Sequence, residues 1–177
     1  MKALVIGDVH WSQFSSIVRK MGNKYSVRLE NLISSVNWAE NFAKDNSCDM
    51  VIYLGDFFDK SECNAMEISA LKEIEWYSNC DHIFLVGNHE AGRANLEFNT
   101  ADIFNLANFD IVSDIETLQI DEGTRFVFIP YILEENRKSL NEYITPFDGK
   151  TIIFSHNDIK GIQMGMFISK DGFSFSL

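Results

Sequence analysis

ALVIGDVH (residues 3–10), MVIYLGDFFD (50–59) and IFLVGNHE (83–90) share one construction: an apolar run, a glycine, then side chains able to bind metal. Each run is continuous rather than alternating, the pattern of a parallel strand buried on both faces. The glycine that closes it permits a turn, which places the following Asp, His and Asn on loops at the carboxyl ends of neighbouring strands. Ligands in open α/β sheets bind there. Parallel pairing needs crossovers, and the intervening segments can supply them. Leu29, Leu32, Ile33, Val36, Ala39 and Ala43 recur at helical spacing over residues 27–44, as do Ile68, Leu71 and Ile74 over residues 65–77. The order β-α-β-α-β follows.

Farther on, residues 109–112, 117–120 and 125–129 read as strands, the last two joined by the hairpin-like turn Asp121-Glu122-Gly123-Thr124. Residues 133–144 are read as a helix, and 151–154 as a buried strand that ends at Ser155-His156. Residues 166–175 are read as a hairpin turning at Lys170-Asp171-Gly172. The 177 residues are 46% hydrophobic and 13% aromatic, enough for a sizeable core. No linker or repeat divides them, so one domain over 1–177 is expected. No apolar run approaches the roughly 18 residues of a membrane span, and the amino terminus lacks a signal-peptide layout. The expectation is a cytoplasmic protein that does not associate with membranes.

Cys48, Cys63 and Cys80 are odd in number and form no CxxC pair, so free, mostly buried thiols are expected. The formal charge of −11 argues against broad nucleic-acid binding by an extended basic face. Arg19, Lys20, Lys24 and Arg28 are the densest basic cluster. They can be read as a contact for a phosphate backbone or, more simply, as a solvated loop.

Among the three loops, Asp8 and His10 flank one residue and can face a common ion. Asp56 is a carboxylate suited to bridging two cations, Asn88 offers an amide oxygen, and His156 adds an imidazole from a later strand end. This mixture suits manganese, iron or zinc better than a thiol-seeking metal. Two such ions about 3.5–4 Å apart can activate water and stabilise the attacking and leaving oxygens of an in-line displacement. Taken alone, an Asp-x-His is usually a loop cap; three such sites at successive strand ends make metal the better reading. His82, outside any motif, reads as structural or solvent-facing. Asp59 reads as a supporting or loop-capping carboxylate, and Glu90 as a cap for the turn after His89.

The ordered DxH, GDxxD, GNH[D/E] and later His resemble the calcineurin-like metallophosphoesterase superfamily, over residues 2 to about 156. Within it, CDMVIYLGDFFD, the long loop from His10 to Arg28-Leu29-Glu30 and the Ile129-Pro130-Tyr131 run resemble SbcD-type DNA repair nucleases and phage recombination endonuclease subunits. The resemblance implies an α/β fold, a β-sandwich flanked by helices. It also implies a two-metal nuclease of repair or recombination, with manganese the first choice of ion. By the same resemblance, Asp8, His10 and Asp56 hold one ion, and Asp56, Asn88 and His156 the other. His89 acts as the catalytic group that positions the phosphate or protonates the leaving oxygen. DNA, an SbcC-like ATPase subunit and a second copy of the chain are the implied partners.

One departure stands out. The superfamily closes its site with GHxH, and no HxH follows His156 here. Ser155 also replaces the glycine often found before the corresponding histidine. The expectation is that the carboxy-terminal part of the domain is missing and that this chain alone is weakly active or inactive. A small-substrate phosphatase or phosphodiesterase, and a non-catalytic scaffold with a reduced metal site, remain the alternatives.

Overall fold

In the computed structural model, residues 1–92, 96–105, 109–170 and 172–174 are described. The three continuous apolar runs and residues 109–112 become strands β1 (Ala3–Ile6), β2 (Met50–Tyr53), β3 (Asp81–Leu85) and β4 (Phe109–Val112) of an all-parallel sheet in that order. In register, Val5 lies beside Ile52, Ile52 beside Ile83, and Phe84 beside Ile111. The parallel register brings the carboxyl ends of β1, β2 and β3 side by side, and with them the three loops. Helix α1 (Val27–Asp45) makes the first crossover; Ser26 caps it by accepting the Leu29 N–H.

A second sheet contains β5 (Glu116–Asp121), β6 (Thr124–Ile129) and β7 (Lys150–Ser155). The β5–β6 hairpin is antiparallel, with Asp121 Oδ1 accepting the Gly123 N–H in its turn, while β7 joins β6 in parallel. Alternation along the central strands explains why their sequences are apolar throughout. Met50, Ile52, Ile83 and Leu85 face Phe126 and Phe128 of the second sheet. Val51, Tyr53 and Phe84 face Leu29, Val36 and Ala43 of α1. Val127 and Ile129 pack outward against Leu140 and Phe173. The result is a β-sandwich with α1 covering one outer face and irregular chain the other.

Several expectations need correction. β1 is an edge strand, so Ala3 and Val5 are exposed instead of buried. The second helix is shorter than its periodicity implies: α2 (Ala65–Ala70) passes into a 3-10 turn at Leu71–Glu73, and Ile74 is extended. Extension lets Trp76 meet six rings, those of Tyr53, Phe57, His82, Phe84, Phe104 and Phe109. Burying a large side chain contributes about 1.5–3 kcal/mol, against at most about 0.7 kcal/mol per residue of helix propensity. Packing therefore wins. Residues 133–144 form no helix but two 3-10 turns, Glu134–Asn136 and Leu140–Glu142. Glu142 Oε1 accepts the Ser139 N–H at 3.1 Å, which starts the second turn afresh and separates it from the first.

The carboxy-terminal hairpin pairs β8 (Gln163–Met164) with β9 (Phe167–Ile168), turning earlier than expected. The expected turn at 170–172 includes position 171, and the expected hairpin extends to 175; both positions lie outside the described residues. Cys48, Cys63 and Cys80 are free, the first and last buried, and burial pushes the Cys63 and Cys80 thiols up to about 12. Among the described residues, no helix is long and apolar enough to cross a membrane.

Candidate metal centre

The loops after β1 and β2 continue the ladder that pairs the strands. Leu54 N–H donates to the Ile6 carbonyl (2.8 Å), His10 N–H to Asp56 (2.9 Å) and Trp11 N–H to Phe57 (2.6 Å). Within this paired stretch Asp8, His10 and Asp56 all have positive φ, at 48°, 51° and 50°. Asp and His tolerate that region better than most residues, yet each such residue costs about 1–3 kcal/mol unless its surroundings enforce it. Three in one site call for an explanation, and the neighbouring bonds provide it. Trp11 is buried, with its indole N–H on the Glu67 carbonyl (3.1 Å) and its ring stacked on Phe57. Arg28, on the first turn of α1, donates to the His10 carbonyl at 2.9 Å. Arg28 is thus not a solvated loop cation but a brace for the His10 loop.

Glu90 is the residue whose importance sequence reading missed. Its side chain is fully buried, and its carboxylate accepts three backbone N–H groups: Gly87 (2.8 Å) in its own turn, then Asp56 (2.9 Å) and Phe58 (2.7 Å) across the site. It caps its turn as expected, and it also staples the GNHE loop to the GDFFD loop. Burial raises its pKa, with the Asp56 charge adding to the rise and the three N–H bonds opposing it. Gly87 makes this approach possible, since a Cβ there would lie 2.2 Å from Asp56 Oδ1 and 2.8 Å from Glu90 Oε2. Gly55, with φ 99°, does the same for His156, whose Nδ1 would be 2.5 Å from a Cβ. Gly7 has open space around it and no positive φ, so the glycine requirement expected there is not observed.

Six expected residues meet at these loop ends. Donor atoms of His10, Asp56 and His89 lie within 4.8 Å of one another, and so do those of Asp8, Asp56 and His156. Asp56 belongs to both trios. Asn88 Oδ1 is 3.2 Å from His156 Nε2, which in turn is 3.3 Å from Asp56 Oδ1. Asp8 and Asn88 are exposed, whereas Asp56 is buried between the trios. Asp8 therefore groups with His156 in this geometry, and His89 occupies the place beside His10 that the resemblance gives to Asp8.

Two histidines have defined orientations. His156 Nδ1 lies 2.7 Å from the Leu54 carbonyl, and His89 Nδ1 lies 2.7 Å from the Asp59 carbonyl. A carbonyl only accepts, so Nδ1 carries the proton and Nε2 points its other valence into the site. There His156 Nε2 meets the Asn88 amide and the Asp56 carboxylate, and His89 Nε2 lies 3.8 Å from Asp56 Oδ2, an arrangement that a bound cation would satisfy. Burial lowers the His156 pKa, but the Asp56 bond and charge, the Leu54 carbonyl and the Asp8 charge more than offset this and raise it. For Asp56, burial acts upward, and His156 together with the His89 N–H holds the carboxyl below its usual range. His10 Nδ1 is buried without a hydrogen-bond partner, 3.5 Å from Asp59 Oδ1. Shared carboxylate, imidazole, amide and an orphaned ring nitrogen fit divalent metal.

The family model for calcineurin-like phosphoesterases matches residues 1–172. The chain belongs to the calcineurin-like phosphoesterase family. No curated protein matches it significantly. Membership accounts for an α/β sandwich whose strand ends carry a divalent-metal site for phosphoester hydrolysis. Of the four histidines in this member of the family, three enter the site. The fourth, His82, is fully buried on α1's side of the sheet, with Nε2 3.0 Å from Glu40. Asp59 supports the site as expected, through the His89 contact to its carbonyl and its carboxylate beside His10.

Proposed function

We propose that this calcineurin-like phosphoesterase hydrolyses phosphodiesters in DNA with two divalent ions, in the manner of an SbcD-type nuclease subunit. The observation that carries the reading is the position of buried Asp56, whose carboxylate lies within 4.8 Å of a His10 nitrogen on one side and of Asp8 and His156 donor atoms on the other. Asp8, His10, Asp56, Asn88 and His156 would hold the ions, with manganese the first choice and iron or zinc the alternatives. Bound ions would supply Lewis-acid activation of water and neutralise charge on the phosphate. The protein's own part is orientation. The Asp59 carbonyl fixes His89 so that Nε2 faces the shared carboxylate, where a protonated imidazole can deliver its proton to the departing oxygen.

Exposed Asp8 and Asn88 leave the centre accessible from solvent, as a phosphate within a long strand requires. Beside them, a cavity of about 550 Å³ is lined by His156, Tyr131, Asn157 and Arg137. An SbcC-like ATPase and a second copy of the chain are the partners this reading calls for. Three free thiols fit the reducing cytoplasm. The test compares linear DNA, bis(nitrophenyl) phosphate and nitrophenyl phosphate with manganese. Preferential DNA cleavage supports the reading, and turnover of the monoester alone would replace it with a small-substrate phosphatase.

A further inference from the structure

Arg137, Lys138, Lys160 and Lys170 line a cavity of about 300 Å³ together with Ser139 and Glu134. In a chain of net charge −11, four of the fifteen Lys and Arg residues meet at this one place. The three lysines are exposed, and among the described residues no carboxylate forms an ion pair with any of them. Arg137 is different. It pairs with Asp158, donates from Nε to the Ile132 carbonyl at 2.8 Å and lies over the Tyr131 ring.

The cavity is held together by long-range bonds. Asp158 takes Arg137 on one oxygen and the Ser169 hydroxyl on the other, which ties the Lys138 segment to the Lys170 segment. Lys160 N–H donates to the Phe173 carbonyl (2.9 Å), and Leu140 N–H to the Ser174 carbonyl (3.1 Å). Gly172 permits the crossing, because a Cβ would stand 2.6 Å from the Asp158 carbonyl oxygen and the Lys160 nitrogen. Three separate segments are thus fastened so that a lysine from each lines one space. Such like charges repel unless an anion joins them, and among the described residues Glu134 is the one carboxylate that lines the space.

Glu134 and Arg137 also border the larger cavity that contains Asp8, Asn88 and His156, so the two cavities are contiguous. We infer that the lysine-lined cavity is a second phosphate subsite, which takes a phosphodiester of the same nucleic-acid strand whose scissile phosphate lies at the metal centre. The inference rests on reading that centre as a phosphodiesterase, and it makes the substrate a polymer, not a lone phosphate ester.

Binding without turnover provides the test. A fluorescent single-stranded oligonucleotide is titrated in EDTA with wild type and with the Lys138→Ala, Lys160→Ala, Lys170→Ala triple variant. A control triple variant carries alanine at Lys44, Lys72 and Lys150, exposed lysines elsewhere on the surface. The cavity variant should lose about tenfold or more in affinity, and its log K against log salt slope should shrink by about 2, from three lost contacts on a single strand. The control should lose less than threefold. Equal affinity of the cavity variant and wild type, or equal losses in both triples, would overturn the subsite. Lys160→Glu alone, checked by its melting curve, gives the same reading should the triple fail to fold. Cleavage of the same oligonucleotide by wild type with manganese separates the two ideas: binding without cleavage removes the phosphodiesterase reading, whereas cleavage with no lysine effect removes the subsite.

Discussion

The two sheets contribute to the metal centre unequally. The parallel sheet supplies Asp8, His10, Asp56, Asn88 and His89 from three adjacent strand ends, and these loops are fastened to one another by ladder bonds, by Arg28 and by the buried Glu90 carboxylate. The second sheet supplies one expected ligand, His156 at the end of β7, and even that ring is oriented by a carbonyl of the first sheet, Leu54. A heavily cross-braced half can hold three residues at positive φ, while the other half delivers its donor by sandwich packing of Phe126 and Phe128 against Ile52 and Leu85. Asp56 sits at the seam and answers to both.

The sharpest way to break the comparison on the braced side is His89→Ala. If this ring serves the leaving group, turnover should fall about 10²–10⁴-fold while metal content stays near normal. Metal loss in step with activity, read by elemental analysis, would instead make His89 a ligand beside His10, as its grouping in the structure allows.

Glu90→Gln should come next in size. The amide keeps the volume but puts an NH2 donor in place of one of the two accepting oxygens, so the three N–H bonds cannot all be accepted. Each lost partner leaves a buried donor that costs about 1–3 kcal/mol. The melting temperature should fall, and manganese affinity should drop by about 10–100-fold, the range for groups that support metal ligands. Calorimetry showing unchanged affinity would mean that the strand-end loops hold their shape without the staple.

Stability at low pH gives the smallest effect and concerns a buried pair remote from the catalytic loops. Burial acts to raise the Glu40 pKa, but the His82 bond and charge, the Tyr77 N–H and the Tyr53 hydroxyl outweigh it and hold it below 4.5. A folded pKa below the unfolded one stabilises the fold above about pH 4.5, and that contribution disappears as pH falls through the folded value. Wild type should therefore lose melting temperature below that pH more steeply than Glu40→Gln. Parallel melting curves from pH 6 to 3 would show the pair to be electrostatically idle.

The same asymmetry decided what could be read from sequence. In the parallel sheet, strand, glycine and ligand are contiguous, so the loops, α1 and the convergence of their donors were legible from periodicity and position alone. His156 was legible because it too follows an apolar strand. Glu90 was in plain view within GNHE, but its reach to Asp56 and Phe58 depends on the distance between two loops, which no local pattern encodes. The helix read over residues 133–144 failed for a related reason. Its chain is shaped by Arg137 meeting Asp158 and Leu140 meeting Phe173, contacts made with the far end of the sequence. Trp76 likewise abandons helical spacing for rings contributed by other elements.

The central claim is that one buried carboxylate serves two ions, and counting ions tests it. Manganese bound per chain would be measured by titration calorimetry and elemental analysis on wild type, His156→Ala and Asp56→Asn, each checked for folding by circular dichroism. Two ions in wild type, one after loss of His156 and none after Asp56→Asn is the expected series, with activity lost alongside the metal in the last. Two ions retained by Asp56→Asn at unchanged affinity would contradict the shared centre.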